Sequence, residues 1–242
     1  MFKDNIFSNI ETANKMFKLH YVLLAMGSLT FLLGCGEQAG SPDVKAREDS
    51  ADKVATDSQQ VQIIVFFGNS LTAGYGLEPS EAFPALIQQK IDSGQLPYKV
   101  VNAGLSGETS AGGRTRIDWL LRQKIDVFVL ELGANDGLRG IPVSETAINL
   151  QAIVDKVKGK YPEAKLVMAG MEVPPNMGSQ YTGEFRSIFK KLAEKNSMTL
   201  IPFILEGVGG VQKLNQNDGI HPTAEGHQIV AKNLWEVLRN IL

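Results

Sequence analysis

Five short apolar segments alternate along the chain with longer segments of helical periodicity. The apolar segments are QIIVFF (62–67), YKVVNA (98–103), DVFVLEL (126–132), KLVMAG (165–170) and TLIPFI (199–204). They are nearly continuous apolar runs, which is typical of strands buried on both faces. Helical patterns follow them at about 80–93, 111–123, 143–159, 179–195 and 222–241. The alternation predicts one α/β domain over residues 61–242, with a parallel sheet covered by helices on both sides.

The loops that follow these strands carry most of the small polar residues of the domain. In such a sheet, ligands bind beyond the carboxyl ends of the strands. Four of the five loops are rich in Gly, Asn, Ser or Asp: GNSLTAG, GLSGETSAGG, GANDGLRG and GVGGVQKLNQNDGIHP, the exception being MEVPPNMG. We therefore expect the chemistry of this protein at that edge of the sheet.

A histidine and an aspartate in the last loop have the spacing of a catalytic pair. Asp218 lies three residues before His221, so its carboxylate can bond to Nδ1 of the imidazole and leave Nε2 free as a base. Taken alone, the pair could equally be a capping aspartate beside a structural histidine. Ser70, in the loop after the first strand, is the candidate nucleophile, because a hydroxyl needs such a base at neutral pH. His227 lies within a helical pattern and is expected to be solvated or at the rim of the site.

Two further loops offer hydrogen-bond donors for an oxyanion. The segment SGETS supplies the backbone N–H of Gly107, and GAND supplies the side-chain amide of Asn135. No G-x-S-x-G nucleophile elbow and no Gly-rich nucleotide-binding motif is present. A metal site built from Asp218, His221 and Glu225 is a weaker alternative, since no cysteine or second well-placed histidine accompanies it.

Four segments, in order, resemble the blocks of the SGNH, or GDSL-type, hydrolases over about residues 62–240. They are FFGNSLTAGYGL, VVNAGLSGETS, ELGANDGLRG and DGIHP. The full strings are most similar to the branch of arylesterases and multifunctional acyl-CoA thioesterase I/lysophospholipases. The resemblance implies a three-layer, flavodoxin-like α/β fold with a five-stranded parallel sheet and no metal or cofactor.

The same resemblance implies a role for each matching residue. Ser70 would be the nucleophile of a carboxylic ester hydrolase and would form an acyl-enzyme, with Asp218 and His221 completing the triad. The N–H groups of Ser70 and Gly107 and the amide of Asn135 would form the oxyanion hole. The substrate would be a small-molecule ester or lipid. The alternatives are a catalytically silent ligand-binding module on the same fold and a carbohydrate acetylesterase.

One residue departs from the family pattern. The first block usually reads Gly-Asp-Ser, whereas here Asn69 precedes Ser70. Asparagine can keep a hydrogen bond in the turn but supplies no carboxylate. Because the catalytic acid of this family belongs to the last block, we expect activity to survive.

The N-terminal part of the chain reads as a lipoprotein export signal. An apolar segment at residues 21–34 follows Lys15 and Lys18, is too short to span a bilayer, and ends in Leu-Leu-Gly-Cys at Cys35. This resembles a bacterial lipobox; the alternative is a buried helix followed by a chance cysteine. It predicts a signal peptide at 1–34, a flexible tether at 35–60 and a hydrolase domain at 61–242. The protein would be exported and anchored to a membrane through lipidated Cys35, at the outer membrane or the periplasmic face.

Overall charge and cysteine content narrow the choice of partners. The formal net charge is −2 and no basic run occurs, so the sequence gives no sign of a nucleic-acid partner. Cys35 is the single cysteine of the chain, which rules out an intramolecular disulfide.

Overall fold

The computed structural model describes residues 60–242, which form a five-stranded, all-parallel sheet. Its strands are β1 (Gln62–Gly68), β2 (Tyr98–Gly104), β3 (Val127–Glu131), β4 (Lys165–Ala169) and β5 (Thr199–Ile201). Their order in the sheet is β2-β1-β3-β4-β5. The chain therefore steps from β1 to one side and then to the other, which opens a crevice beyond the carboxyl ends of β1 and β3. The predicted fold class is confirmed.

Seven α-helices accompany the sheet within the described residues. They are α1 (Ser70–Ala73), α2 (Phe83–Ser93), α3 (Ser110–Leu120), α4 (Ala134–Leu138), α5 (Val143–Lys160), α6 (Ser179–Asn196) and α7 (Ala224–Leu238). Short 3₁₀ helices occur at Pro175–Met177 and Gln212–Leu214. Helix α2 packs on α7, whereas α3, α5 and α6 pack on one another in sequence, so the sheet has a helical layer on each face. None of these helices is long and apolar enough to cross a membrane.

The central strands are buried on both faces, as their sequences predict. Every residue of β3 and the last five residues of β1 are buried. Successive side chains of a strand point to opposite faces. Accordingly, Phe66 meets Phe83 of α2 edge-on at 5.4 Å, while Phe67 packs beside Phe128 at 5.7 Å. This packing on both faces fixes the ends of β1 and β3, from which the site is built.

The last strand is shorter than predicted. The apolar run at 199–204 predicts a strand of that length, but β5 ends at Ile201. The next residue is Pro202, which has no N–H to donate to the ladder. The N–H of Gly170 still donates to Ile201 O at 2.7 Å, and Ile204 N–H returns to Gly170 O at 2.9 Å. The chain therefore leaves the sheet at Pro202.

Candidate active site

Ser70, His221 and Asp218 form one continuous hydrogen-bonded chain. Ser70 follows β1 as the first residue of α1, and His221 and Asp218 lie in the loop between β5 and α7. The distance from Ser70 Oγ to His221 Nε2 is 2.8 Å, and that from His221 Nδ1 to Asp218 Oδ2 is 2.7 Å. Ser70 is 8% exposed, so its hydroxyl is nearly enclosed by the loops around it. This is the geometry of a nucleophile, a base and an orienting carboxylate.

Asp218 is held as an anion by its own turn. Its Oδ1 accepts the N–H groups of Ile220 at 2.9 Å and His221 at 3.0 Å. The hydrogen bond from the His221 N–H, followed by that from the imidazole, lowers the pKa of Asp218 to about 2. A carboxylate fixed in this way keeps the Nδ1–H tautomer of His221 and leaves Nε2 free to accept a proton.

Gln216 and Tyr75, which sequence reasoning missed, hold His221 in place. The Gln216 side chain donates to Tyr75 O at 2.7 Å and to Pro222 O at 3.0 Å. The backbone N–H of Gln216 donates to His221 O at 2.7 Å. The Tyr75 ring lies over the imidazole, with 4.7 Å between ring centroids. These contacts join the loop that carries Ser70 to the loop that carries the base, although the two are distant in sequence.

The predicted oxyanion donors lie beyond the ends of three adjacent strands. Ser70 follows β1, Gly107 follows β2, and Asn135 follows β3. Within residues 60–242, neither the N–H of Ser70 nor that of Gly107 has a hydrogen-bond acceptor. Gly107 has a φ of +79° with nothing near its missing Cβ, so backbone conformation requires the glycine. The Asn135 amide donates to Glu108 O at 3.0 Å, which fixes its direction.

An ion pair between buried Glu108 and partly exposed Arg116 supports the loop that carries Gly107. Glu108 is 7% exposed and accepts two bonds of 2.6 Å from the Arg116 guanidinium. Arg116 also donates to Ala103 O at 2.8 Å, at the end of β2, and lies 4.1 Å from the centre of the Phe67 ring. The pair therefore ties the loop to the ends of two strands. Nothing in the segment SGETS distinguishes Glu108 from an exposed loop residue, and sequence reasoning missed it.

A second buried carboxylate lies directly beside Asn135. Asp136 is completely buried and accepts the Ser110 N–H at 2.8 Å and the Ser110 hydroxyl. It thereby connects the start of α3 to α4, the helix that carries Asn135. Sequence reasoning missed this contact, because the two residues lie in different loops.

The expectation for His227 is wrong, because this residue is buried rather than at the rim. It is 2% exposed, and its Nδ1 accepts the N–H of Phe83 at 3.0 Å. That N–H belongs to the first turn of α2, whose N-cap residue Ala82 has no side-chain acceptor. Burial, and secondarily the charge of His221, lowers the pKa of His227 to about 4. His227 is a neutral helix cap.

Two further predictions concern a metal site and the N-terminal part of the chain. No group of three His, Cys, Asp or Glu in the described part of the chain could hold a metal ion, and both ring nitrogens of His221 are engaged within the triad. Cys35 lies outside the described residues, as do the predicted signal peptide and nearly all of the tether.

Four large apolar side chains in or next to the polar segments that supply the site are exposed to solvent. They are Tyr75 (51% exposed), directly after the segment that contains Ser70, Leu105 (52%), between β2 and Gly107, Leu138 (41%), at the end of α4, and Ile220 (46%), beside His221. Single exposed apolar residues are ordinary on protein surfaces. Here one lies in, or directly after, each of the four polar segments.

Comparison with known proteins places the chain among enzymes. The model of the GDSL-like Lipase/Acylhydrolase family matches residues 66–229. Esterase TesA of Pseudomonas aeruginosa is 38% identical over 77% of this chain and 92% of its own length. Thioesterase 1/protease 1/lysophospholipase L1 of Escherichia coli (strain K12) is 38% identical over 69% of this chain and 79% of its own. A crystal structure of TesA superposes with a TM-score of 0.72 at 38% identity, covering 75% of this chain and 100% of that one.

Proposed function

This chain belongs to the GDSL-like Lipase/Acylhydrolase family and is therefore an ester hydrolase, and we propose that it works through an acyl-enzyme on Ser70. The observation that carries the proposal is the chain of two short hydrogen bonds from Ser70 Oγ through His221 to Asp218. A silent binding module would have no need of all three groups in this geometry.

The proposed reaction has two steps. In the first, His221 Nε2 takes the Ser70 proton while Oγ attacks the carbonyl carbon of the ester. The carbonyl oxygen becomes an oxyanion, which accepts hydrogen bonds from the Ser70 and Gly107 N–H groups and the Asn135 amide. His221 then gives its proton to the departing alcohol or thiol, and the acyl group remains on Ser70. In the second step water attacks this ester while His221 takes a proton from the water, and His221 then returns that proton to Ser70 Oγ as the acid leaves.

We propose an apolar acyl chain on the substrate. The four exposed apolar side chains defined above, Tyr75, Leu105, Leu138 and Ile220, lie in or next to the segments that supply Ser70, Gly107, Asn135 and His221. A hydrocarbon chain laid over them would bury apolar area on both sides, at about 25 cal/mol per Å². The names of the relatives, an esterase and a thioesterase/lysophospholipase, support esters, thioesters and lysophospholipids as the classes to test.

The experiment compares wild type, Ser70→Ala and Ser93→Ala on p-nitrophenyl esters of rising chain length, lysophospholipid and acyl-CoA. Ser93 is exposed near the end of α2 and serves as the matched control. Loss of a triad nucleophile lowers kcat by about 10⁴–10⁶, whereas Ser93→Ala should retain full activity. Labelling with a fluorophosphonate should attach the phosphonyl group to Ser70 alone, with loss of fluoride from the reagent. A Ser70→Ala protein that is folded and retains more than a few per cent of the wild-type rate contradicts the proposal.

We further propose that the protein is exported and anchored to a bacterial membrane through Cys35. The support is the lysine-led apolar segment at residues 21–34, which ends in Leu-Leu-Gly-Cys, and the polar segment that follows it. Stable anchoring takes more than one acyl chain, and lipoprotein cysteines of the resembled type carry a diacylglyceryl group. A tether of this kind would hold the hydrolase domain close to lipid substrates.

A further inference from the structure

A buried carboxyl group that takes no part in the reaction described above lies directly beneath the nucleophile. Glu131 is the last residue of β3, where it pairs in register with Gly68 at the end of β1. Its side chain is 1% exposed. Placing an ionisable group there is unfavourable unless its partners compensate for the lost water.

Glu131 accepts hydrogen bonds from residues on both sides of Ser70. Its Oε1 accepts the Asn69 side-chain amide at 2.8 Å. Its Oε2 accepts the Asn69 backbone N–H at 3.2 Å and the Thr72 hydroxyl at 2.8 Å. The other end of the Asn69 side chain, Oδ1, accepts the N–H of Leu71 at 2.9 Å. Three donors therefore converge on one carboxylate, and the residues that supply them flank the nucleophile.

Gly68 makes this close approach possible. A Cβ at Gly68 would overlap both the Glu131 carboxylate and the Thr72 hydroxyl. The glycine of the first block thus has a specific function, which is to let a carboxylate from β3 reach under the turn of β1.

Among residues 60–242, no cationic side chain pairs with Glu131. Burial raises its pKa to about 7, and the hydrogen bonds from Thr72 and Asn69 act in the opposite direction. No charged side chain is among the causes of the shift. The charged groups on neighbouring elements are otherwise engaged: Glu108 and Arg116 with each other, Asp136 with Ser110, and His221 with Asp218 and Ser70.

We propose that Glu131 is a positioning residue whose carboxylate, matched to the carboxamide of Asn69, holds the Ser70 turn so that Oγ faces His221. The proposal rests on the proposed function of Ser70. It also gives the unusual Asn69 a role, since an amide donor faces a carboxylate acceptor across 2.8 Å.

The donor and acceptor directions of these hydrogen bonds determine the expected effect of Glu131→Gln. If the new amide nitrogen takes the place of Oε2, it faces the backbone N–H of Asn69. If it takes the place of Oε1, it faces the Asn69 side-chain amide. Flipping the Asn69 side chain then only moves the conflict to the N–H of Leu71. Every arrangement sets one donor against another, which leaves a buried polar group without its partner.

The double variant Glu131→Gln with Asn69→Asp removes this conflict. The glutamine oxygen can accept the backbone N–H of residue 69 and the Thr72 hydroxyl, while its amide donates to the new aspartate. The second oxygen of that aspartate accepts the Leu71 N–H. All the bonds of the wild type are restored, with one pair reversed in direction and the total charge unchanged.

Asn69→Asp alone sets two carboxyl groups against each other. They can share one proton, as carboxyl pairs in contact do, and the turn is then held as before. Above the pH at which that proton is lost, two carboxylates repel each other beneath Ser70. This variant should therefore gain a fall in activity on the alkaline side that the wild type lacks.

The experiment measures kcat and KM for wild type and the three variants on p-nitrophenyl butyrate, from neutral pH upward and with the spontaneous rate subtracted. Misplacing a nucleophile costs up to about 100-fold, so Glu131→Gln should lower kcat by about 10–100-fold with KM within about twofold. The double variant should recover to within about threefold of wild type, and Asn69→Asp should show the alkaline fall. Thermal unfolding followed by circular dichroism is recorded for each protein.

The outcomes separate the possible failures. If wild type hydrolyses no ester, the proposed function is wrong, and recovery of thermal stability in the double variant then tests the pairing itself. If wild type is active but the double variant stays as slow as Glu131→Gln, matched polarity does not position Ser70 and the inference is overturned. Should Glu131→Gln not fold, the alkaline limb of Asn69→Asp decides: its absence contradicts the pairing.

Discussion

Replacing His227 with glutamine should change how stability depends on pH. His227 is buried and accepts the Phe83 N–H through Nδ1 at 3.0 Å. A protonated imidazole cannot accept that bond, so the folded protein must keep the ring neutral. Glutamine can offer a carbonyl oxygen to the same N–H and carries no charge at any pH.

The magnitude follows from the two states of the ring. The pKa of His227 is lowered from an ordinary value of 6.5 to about 4. Between these values the unfolded chain binds a proton that the folded chain does not, so stability rises with pH in this window and falls on acidification. At 1.36 kcal/mol per unit, the full contribution is about 3 kcal/mol, and about 2 kcal/mol of it is lost between neutral pH and pH 5. Glu131 acts in the opposite direction, because its raised pKa of about 7 favours the folded state at low pH.

The difference between two proteins isolates His227, because the effect of Glu131 is common to both. Urea unfolding of wild type and His227→Gln is followed at several values from neutral pH to about pH 5. The stability of wild type relative to the variant should fall by about 2 kcal/mol over this range. Thr223→Ala is the control: it removes the cap of α7, at 3.3 Å from Gly226 N, and contains no titrating group. Its stability deficit should be independent of pH. A constant difference between wild type and His227→Gln would refute the assignment of a neutral, capping imidazole.

Three further substitutions test the site and the anchor. Asn135→Ala should lower kcat by roughly 10²–10³ with little change in KM, because an oxyanion donor acts in the transition state; Asn233→Ala, on the far helix α7, should have no effect. Asp218→Asn should leave the fold intact but lower kcat by about 10³–10⁴, since an amide facing Nδ1 stabilises the wrong tautomer of His221; a variant with wild-type kcat would exclude Asp218 from the triad. Cys35→Ser should move the protein from the membrane fraction to the soluble fraction, or leave an unprocessed precursor; identical fractionation and mass would show that Cys35 carries no lipid.

Helices and strands were predictable where their pattern was long or strongly apolar. The runs in β1 and β3 are buried on both faces, which explains why almost every residue in them is apolar. The end of α3, predicted near 123 and found at Leu120, and the end of β5 were less accessible, because boundaries depend on single hydrogen bonds. The apolar run continues to residue 204, but β5 ends at Ile201, before Pro202. The short helices α1 and α4 are single turns whose residues are mostly small or polar.

The candidate active site also contains residues that the sequence predicts and residues that it does not. Ser70, His221 and Asp218 could be proposed because a hydroxyl, an imidazole and a carboxylate in loops at one sheet edge have few other uses. The residues that hold these three side chains in place could not be predicted from the sequence. Glu131 ends a segment that reads as a buried apolar strand, and its partner Asn69 lies 62 residues away in sequence. His227 was misassigned because helical periodicity does not reveal a backbone N–H from another helix.

The order of the strands in the sheet explains why His221 lies on a long loop, the segment 202–223. The three proposed oxyanion donors follow β2, β1 and β3, which are neighbours in the sheet, so short loops suffice to bring them together. Strand β5 lies three strand positions from β1, a distance of about 14 Å at the usual spacing of strands. The segment 202–223 must cross that distance before it can present His221 to Ser70. A free loop of this length would leave the imidazole poorly placed, but the antiparallel bridge between Asn215 and Pro222 and the Gln216 contacts to the Ser70 loop fix its far end. The position of the His221 imidazole therefore depends on two residues. Gln216 fixes the end of the loop, and Asp218 orients the ring.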